Sequence, residues 1–323
     1  MTNFVMRARN SMLDARDLAS DAAAAWVDDY APSMGAALAF YMLFSIAPLL
    51  LIVISVAGLV FGEQAARGEI MGEISGLVGV DSARMVEAML EGLNRPAASL
   101  LGASAGLVAL LIGATTVFGE LQDAMDRIWR APSRPAAGGL WSLLRARLLS
   151  LGMVLGIGFL LIVSLVFSAA LAALGKWWAP WFGEWEVFAN VVDIAVSFAF
   201  VTVMFAAIYK WMPRVKVAWR DVWIGAAITA LLFTLGKALI GLYIGRSGVA
   251  SAFGAAASLV VLLLWVYYSA QVFLFGVEIT WVYAHRHGSM RAQPPQAAVP
   301  MARQETLPEP PSRQSRFKAV STR

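Results

Sequence analysis

No cysteine occurs in the 323 residues, which excludes a disulfide framework, a thiolate nucleophile and any cysteine-ligated metal. Charge is scarce as well. Asp, Glu, Lys and Arg make up 14% of the chain, against about 25% in a soluble domain. With 59% hydrophobic residues, so few charges do not cover a water-facing surface, and membrane residence is the first reading. Histidine is limited to His285 and His287. Residues two apart on a helix do not face each other, whereas metal-dependent phosphodiester cleavage needs several ligands converging on an ion. Neither a phosphate-cradling GxxxxGK[ST] nor a GxSxG elbow is present. An ATP-driven pump and a serine hydrolase are therefore unsupported, and the expectation is a non-enzyme with no metal and no cofactor. A basic start followed directly by a short apolar core is also missing. Residues 1–33 carry Asp14, Asp17, Asp21, Asp28 and Asp29, so no cleavable signal is expected. No Gly follows Met1, which argues against myristoylation.

What the chain does have is long apolar runs. A spanning helix needs about 20 apolar residues, and six stretches qualify, near 34–61, 98–119, 148–175, 187–211, 222–244 and 254–284. Lys and Arg alternate between the segments that join them. One set of compartments holds 19 and the other five, with Lys237 inside a span. Because positive charge stays on the cytoplasmic side, both termini are expected there. Tryptophan occurs twelve times, and Trp177, Trp178, Trp181 and Trp185 around Pro180 read as an interfacial belt. The predicted fold is all-α: a cytoplasmic segment 1–33, a six-helix transmembrane domain 34–285, and a disordered basic tail 286–323. The tail is rich in Pro, Gln and Arg, without apolar periodicity.

The first outer loop, residues 62–97, predicts two short amphipathic helices. Ile70, Ile74, Leu77 and Val78 share one face; after Asp81, a candidate N-cap, Met85, Val86, Met89, Leu90 and Leu93 share another. Two readings stand: a lid packed on the outer end of the bundle, or an interfacial element that senses or admits lipid.

The run FYMLFSIAPLLL, Phe40 to Leu51, holds a helix-breaker. Pro48 frees the Phe44 carbonyl, and no water in hydrocarbon satisfies it, so neighbouring protein groups must. The Ser45 hydroxyl is placed to compensate. The segment therefore reads as a kinked spanning helix that faces protein, the kink serving packing or marking a hinge.

Three stretches resemble one family: AALAFYMLFSIAPLLL, GELQDAMDRIWR (Gly119–Arg130), and SAFGAAASLVVLLLWVYYSAQVFLFGVEITWVYAHR (Ser251–Arg286). Together they are similar to the YihY/virulence factor BrkB family of bacterial inner-membrane proteins, over about residues 30–285. Phe253 stands where tyrosine is expected and Ala257 where glycine is expected. The resemblance implies six spanning helices, cytoplasmic termini and an inner-membrane location. The family was once labelled ribonuclease BN, and some members are associated with serum resistance or export of envelope lipid. The resemblance carries over no catalytic residue.

Charges at membrane depth are costly and usually paired. Asp193 and Lys237 fall at similar depth, which predicts an ion pair or shared polar site, with outward snorkelling of Lys237 as the alternative. Tyr267, Gln271 and Glu278 share one face of the last helix, with Glu278 expected beside Glu120 and a basic rim of Arg127, Arg130 and Arg220. That rim reads as a carboxylate clamp or as a partly wet path for a head group or proton. Gly102–Gly106, Gly152–Gly156 and Gly241–Gly245 are GxxxG pairs, which fit bundle and homo-oligomer alike. The function that follows is transport of an amphiphile, with membrane lipids as partners and no nucleic acid. A structural or scaffolding role in the envelope is the alternative, and a nuclease a remote third.

Overall fold

The computed structural model describes residues 2–93, 100–132, 152, 156, 185–246 and 256–291. Among them every regular element is helical. In chain order these are α1 (Thr2–Asp28), α2 (Ala31–Phe61), α3 (Glu63–Val78), α4 (Val80–Leu93), α5 (Leu100–Ile128), α6 (Trp185–Trp211), α7 (Trp219–Arg246) and α8 (Ala257–Arg286). Three have the length and composition to cross a membrane: Ala31–Leu59, Ile194–Trp211 and Ala257–Arg286. Helices α5 and α7 lie where two further spans were expected. Apart from residues 152 and 156, the expected span 148–175 lies outside the described residues, as does the tail beyond residue 291.

The N-terminal segment is a helix, which its acidic, low-apolar sequence did not announce. It exists because one narrow face is buried: Leu18 and Ala22 pack on Ile279 and Val282 of α8. Asp21 also pairs with Arg286. Tyr30, in the left-handed conformation (φ 58°), breaks the chain between α1 and α2. Pro32 in the first turn of α2 costs no hydrogen bond, because that turn has no intrahelical acceptor for its N–H groups.

From Ala31 to Gly62 no charged residue occurs, and α2 continues as helix through Pro48. The proline ring faces Gly113 of α5, where a Cβ would sit 3.0 Å from Pro48 Cγ. Ser45 is buried. The proline thus faces protein, as its chemistry required.

The first loop is helical, forming α3 and α4. Gly62 (φ 84°) and Gly79 (φ 85°) make the reversals before each of them, in backbone conformations that side-chain-bearing residues rarely adopt. Asp81 sits in the first turn of α4 rather than before it. It still complements the helix dipole there, and it pairs with Arg84 at 3.3 Å. The hairpin is not a lid across the end of the bundle. It folds back along the second half of α2: Glu63 abuts Gly58, Ile70 and Met71 pack near Ile54, and Val78 reaches Ile46. The apolar stripes explain this course, since the flank of α2 offers a far longer apolar surface than its tip.

Helix α8 is the most enclosed element, packing on α1, α2, α4 and α7. The main core unites Leu38, Met125, Phe205, Tyr209, Val222 and Leu274. Helices α6, α7 and α8 meet closely because Gly276 leaves room for Thr229 and the Tyr209 hydroxyl. Tyr209 Oη lies 2.9 Å from Thr229 Oγ1 and donates to the Phe273 carbonyl at 2.8 Å.

A buried ionic junction where α1, α2, α5 and α8 meet

Glu278 is fully buried on α8, and Asp29, in the break between α1 and α2, is 6% exposed. The two carboxyls are near enough to influence each other electrostatically. Neither Glu278 oxygen, however, makes a hydrogen bond of good geometry. Two buried carboxyls side by side disfavour joint ionisation. Burial raises the pKa of Asp29, and the charge of Arg130 acts against that rise. Arg130 closes the segment GELQDAMDRIWR, adopts φ 51°, and lies 4.6 Å from the centre of the Trp281 ring, one turn beyond Glu278. The arrangement is therefore two acids and one stacked guanidinium, shut away from bulk water.

Gln271, two turns along α8, donates from Nε2 toward the Pro32 and Ala31 carbonyls at 3.4 and 3.5 Å. Gly35 makes room for it; any side chain there would overlap the amide. Gln271 Oε1 and Trp26 Nε1 are buried without hydrogen-bond partners. Unmet polar groups around coupled acids mark this junction as a candidate functional site.

The expected polar face of α8 is thus real at Gln271 and Glu278, while Tyr267 is only half-buried. Of the expected rim, Arg130 joins Glu278, and Arg127 is exposed and acts on Asp29 at longer range. Glu120 lies near Asp123 instead. Arg220 is exposed in the first turn of α7. Lys237 is exposed on α7, and the side chain of Asp193 lies outside the described residues, so their expected pairing does too. The histidines serve packing: His285 Nδ1 lies 2.9 Å from the Trp281 carbonyl, and His287 stacks on Tyr283.

Sequence reasoning missed Asp29, read only as part of an acidic terminus. It also missed two anchors near the junction. Asp126 forms an ion pair with Arg214, Nε lying 3.1 Å from Oδ2, and accepts from the Arg214 backbone N–H at 2.9 Å, and Gln122 donates to the Met212 carbonyl at 3.0 Å. The segment GELQDAMDRIWR therefore pins the α6–α7 turn on one flank and supplies Arg130 on the other. Asp221, 1% exposed, accepts from the Ser289 N–H at 3.0 Å and its hydroxyl at 2.7 Å, fixing the turn after α8. The spacing of three between Asp123 and Asp126 was the available signal for Asp126; nothing local marked Asp221.

Residues 22–300 match the family described as virulence factor BrkB. The chain is 30% identical to a UPF0761 membrane protein of Pseudomonas aeruginosa (strain LESB58), over 79% of this chain and 59% of the relative. It is 27% identical to one of Psychrobacter sp. (strain PRwf-1), over 79% of this chain and 46% of the relative. With one of Stenotrophomonas maltophilia (strain K279a) it shares 26%, over 85% of this chain and 62% of the relative. The chain thus spans about half to three-fifths of the length of these curated relatives. No solved structure matches it.

Proposed function

Since the chain belongs to the virulence factor BrkB family, we propose that it is a non-enzymatic inner-membrane protein that moves an amphiphile, such as an envelope lipid, between leaflets. The observation that carries this reading is the buried Asp29–Glu278–Arg130 junction. Ionisable groups enclosed within a membrane bundle commonly mark a substrate or proton path. The two Glu278 oxygens, buried without hydrogen-bond partners, leave capacity for a polar head group. In this reading six spans cross the bacterial inner membrane with both termini in the cytoplasm. The segregation of Lys and Arg supports that topology, as do the three long apolar helices and the placement of α5 and α7. The junction then lies at the cytoplasmic end and the α3–α4 hairpin at the outer end. Membrane lipids are the partners. With no ATP motif in the chain, a gradient or simple equilibration drives the movement.

The test is reconstitution into liposomes carrying labelled lipids and small solutes, comparing wild type with Glu278→Gln, Asp29→Asn and Lys237→Ala. Wild type accelerates exchange, and Glu278→Gln brings it most of the way back to the protein-free level. Exchange at the protein-free level in every sample ends the transport reading. Scaffolding is the second reading, favoured by the anchors Asp126–Arg214 and Asp221–Ser289, which hold elements still rather than let them move.

A further inference from the structure

The α3–α4 hairpin carries its charges to a depth where charge is unexpected. Exposed Trp211, Trp219 and Trp223 cluster at one end of α6 and α7, with ring centres 5.7 and 6.3 Å apart, and mark a membrane interface. Phe233 lies ten residues beyond Trp223 on α7, a rise of about 15 Å, or half the roughly 30 Å hydrocarbon layer. At that level Phe233 and Trp265 pack in the same cluster as Val78, the last residue of α3. The α3–α4 turn is therefore near mid-membrane. Helix α3, with 16 residues, descends about 24 Å from Gly62 to reach it.

Just past that turn the Asp81 and Arg84 side chains are 84% and 73% exposed and pair with each other. Glu73 is exposed as well. Lys237 stands one turn beyond Phe233 on the same face of α7 and is also exposed. The lipid-facing stripe of α7 is Leu231, Leu235 and Leu239, each about half exposed or more. At 100° per residue Lys237 points roughly opposite to that stripe. An exposed charge that points away from the exposed apolar stripe of its own helix at mid-membrane needs water around it.

We propose that the α3–α4 hairpin and α7 line a water-filled vestibule that reaches mid-membrane from the hairpin end, with Asp81, Arg84 and Lys237 at its floor. It supplies a polar recess in which the head group of an amphiphile stays solvated while its tails remain in lipid. That use rests on the transport reading; the hydration does not.

The natural lack of cysteine makes the test direct. Single substitutions Asp81→Cys, Arg84→Cys, Glu73→Cys and Lys237→Cys are made in the full chain, in membranes. They are treated with a charged, membrane-impermeant methanethiosulfonate. Leu235→Cys serves as the lipid-facing control and Gln64→Cys as the fully exposed one. The first four react at least about a hundredfold faster than Leu235→Cys, because the reactive thiolate forms in water and not in hydrocarbon. Reaction of Lys237→Cys, or of both Asp81→Cys and Arg84→Cys, as slow as Leu235→Cys overturns the vestibule. Because each of these positions is exposed, the replacements leave the core intact, and a thermal midpoint matching wild type certifies each variant. Lipid exchange that fails while labelling succeeds removes only the transport reading.

Discussion

The two polar regions of this molecule handle charge in opposite ways. At the α1–α2 junction, Asp29 and Glu278 are enclosed and a single stacked arginine offsets them. On the hairpin, Arg67 meets Glu87 at 3.4 Å and Glu91 at 3.5 Å, and Arg84 meets Asp81, all with side chains at least partly exposed. The junction concentrates a large electrostatic cost in three groups, while the hairpin spreads small, screened terms over many. Exposed pairs contribute about 0–1 kcal/mol each, whereas a buried charge stripped of its partner costs several times that. The junction should therefore be sensitive to single changes and the hairpin resistant.

The largest expected effect is Arg130→Ala. It leaves two buried carboxyls without their cation and lowers unfolding stability by about 3 kcal/mol, read as a drop in the thermal midpoint in detergent. Arg127→Ala, at an exposed position, serves as the matched control and shifts the midpoint little. Equal effects of the two would erase the contrast between the regions. Next comes Gly79→Ala. It forces a side chain into a backbone region essentially confined to glycine and costs about 1–3 kcal/mol. Proteolytic nicking near the α3–α4 turn, with α8 intact, would show that the damage stays in the hairpin.

Acidity sharpens the comparison further. The Asp29 carboxyl is raised in the folded protein, chiefly by burial. The folded state then holds its proton more tightly than the unfolded chain. The corresponding stability is complete below the ordinary aspartate value of about 3.9 and is lost as pH rises through the folded value. The midpoint of wild type should fall across that window relative to Asp29→Asn, and parallel curves for the two proteins would contradict the assignment. The smallest effect belongs to Arg67→Ala, at about 0.5 kcal/mol, shrinking further in high salt.

Several parts of the molecule were readable in advance. Uninterrupted apolar length marked α2 and α8, and 3.6-residue periodicity marked α3 and α4. Pro48 implied a protein-facing helix, and Gly113 is the neighbour that receives it. The shared face of Gln271 and Glu278 followed from their spacing of seven. Asp29 did not stand out, because an aspartate in an acidic, weakly apolar terminus looks solvated until α8 covers it. The course of the hairpin was equally hidden, because its stripes announce a buried face without naming the surface that buries it.

Composition and periodicity alone determined that the described elements are helical, that the chain is a membrane protein and which faces are apolar, because those properties depend only on neighbours within a few residues. Tertiary structure alone decided that Asp29 meets Glu278 and Arg130, that Asp126 holds Arg214, and that a charged hairpin folds back beside α2. Each of those contacts joins residues far apart in the chain, and the balance of desolvation against pairing that governs them exists only once the helices have packed.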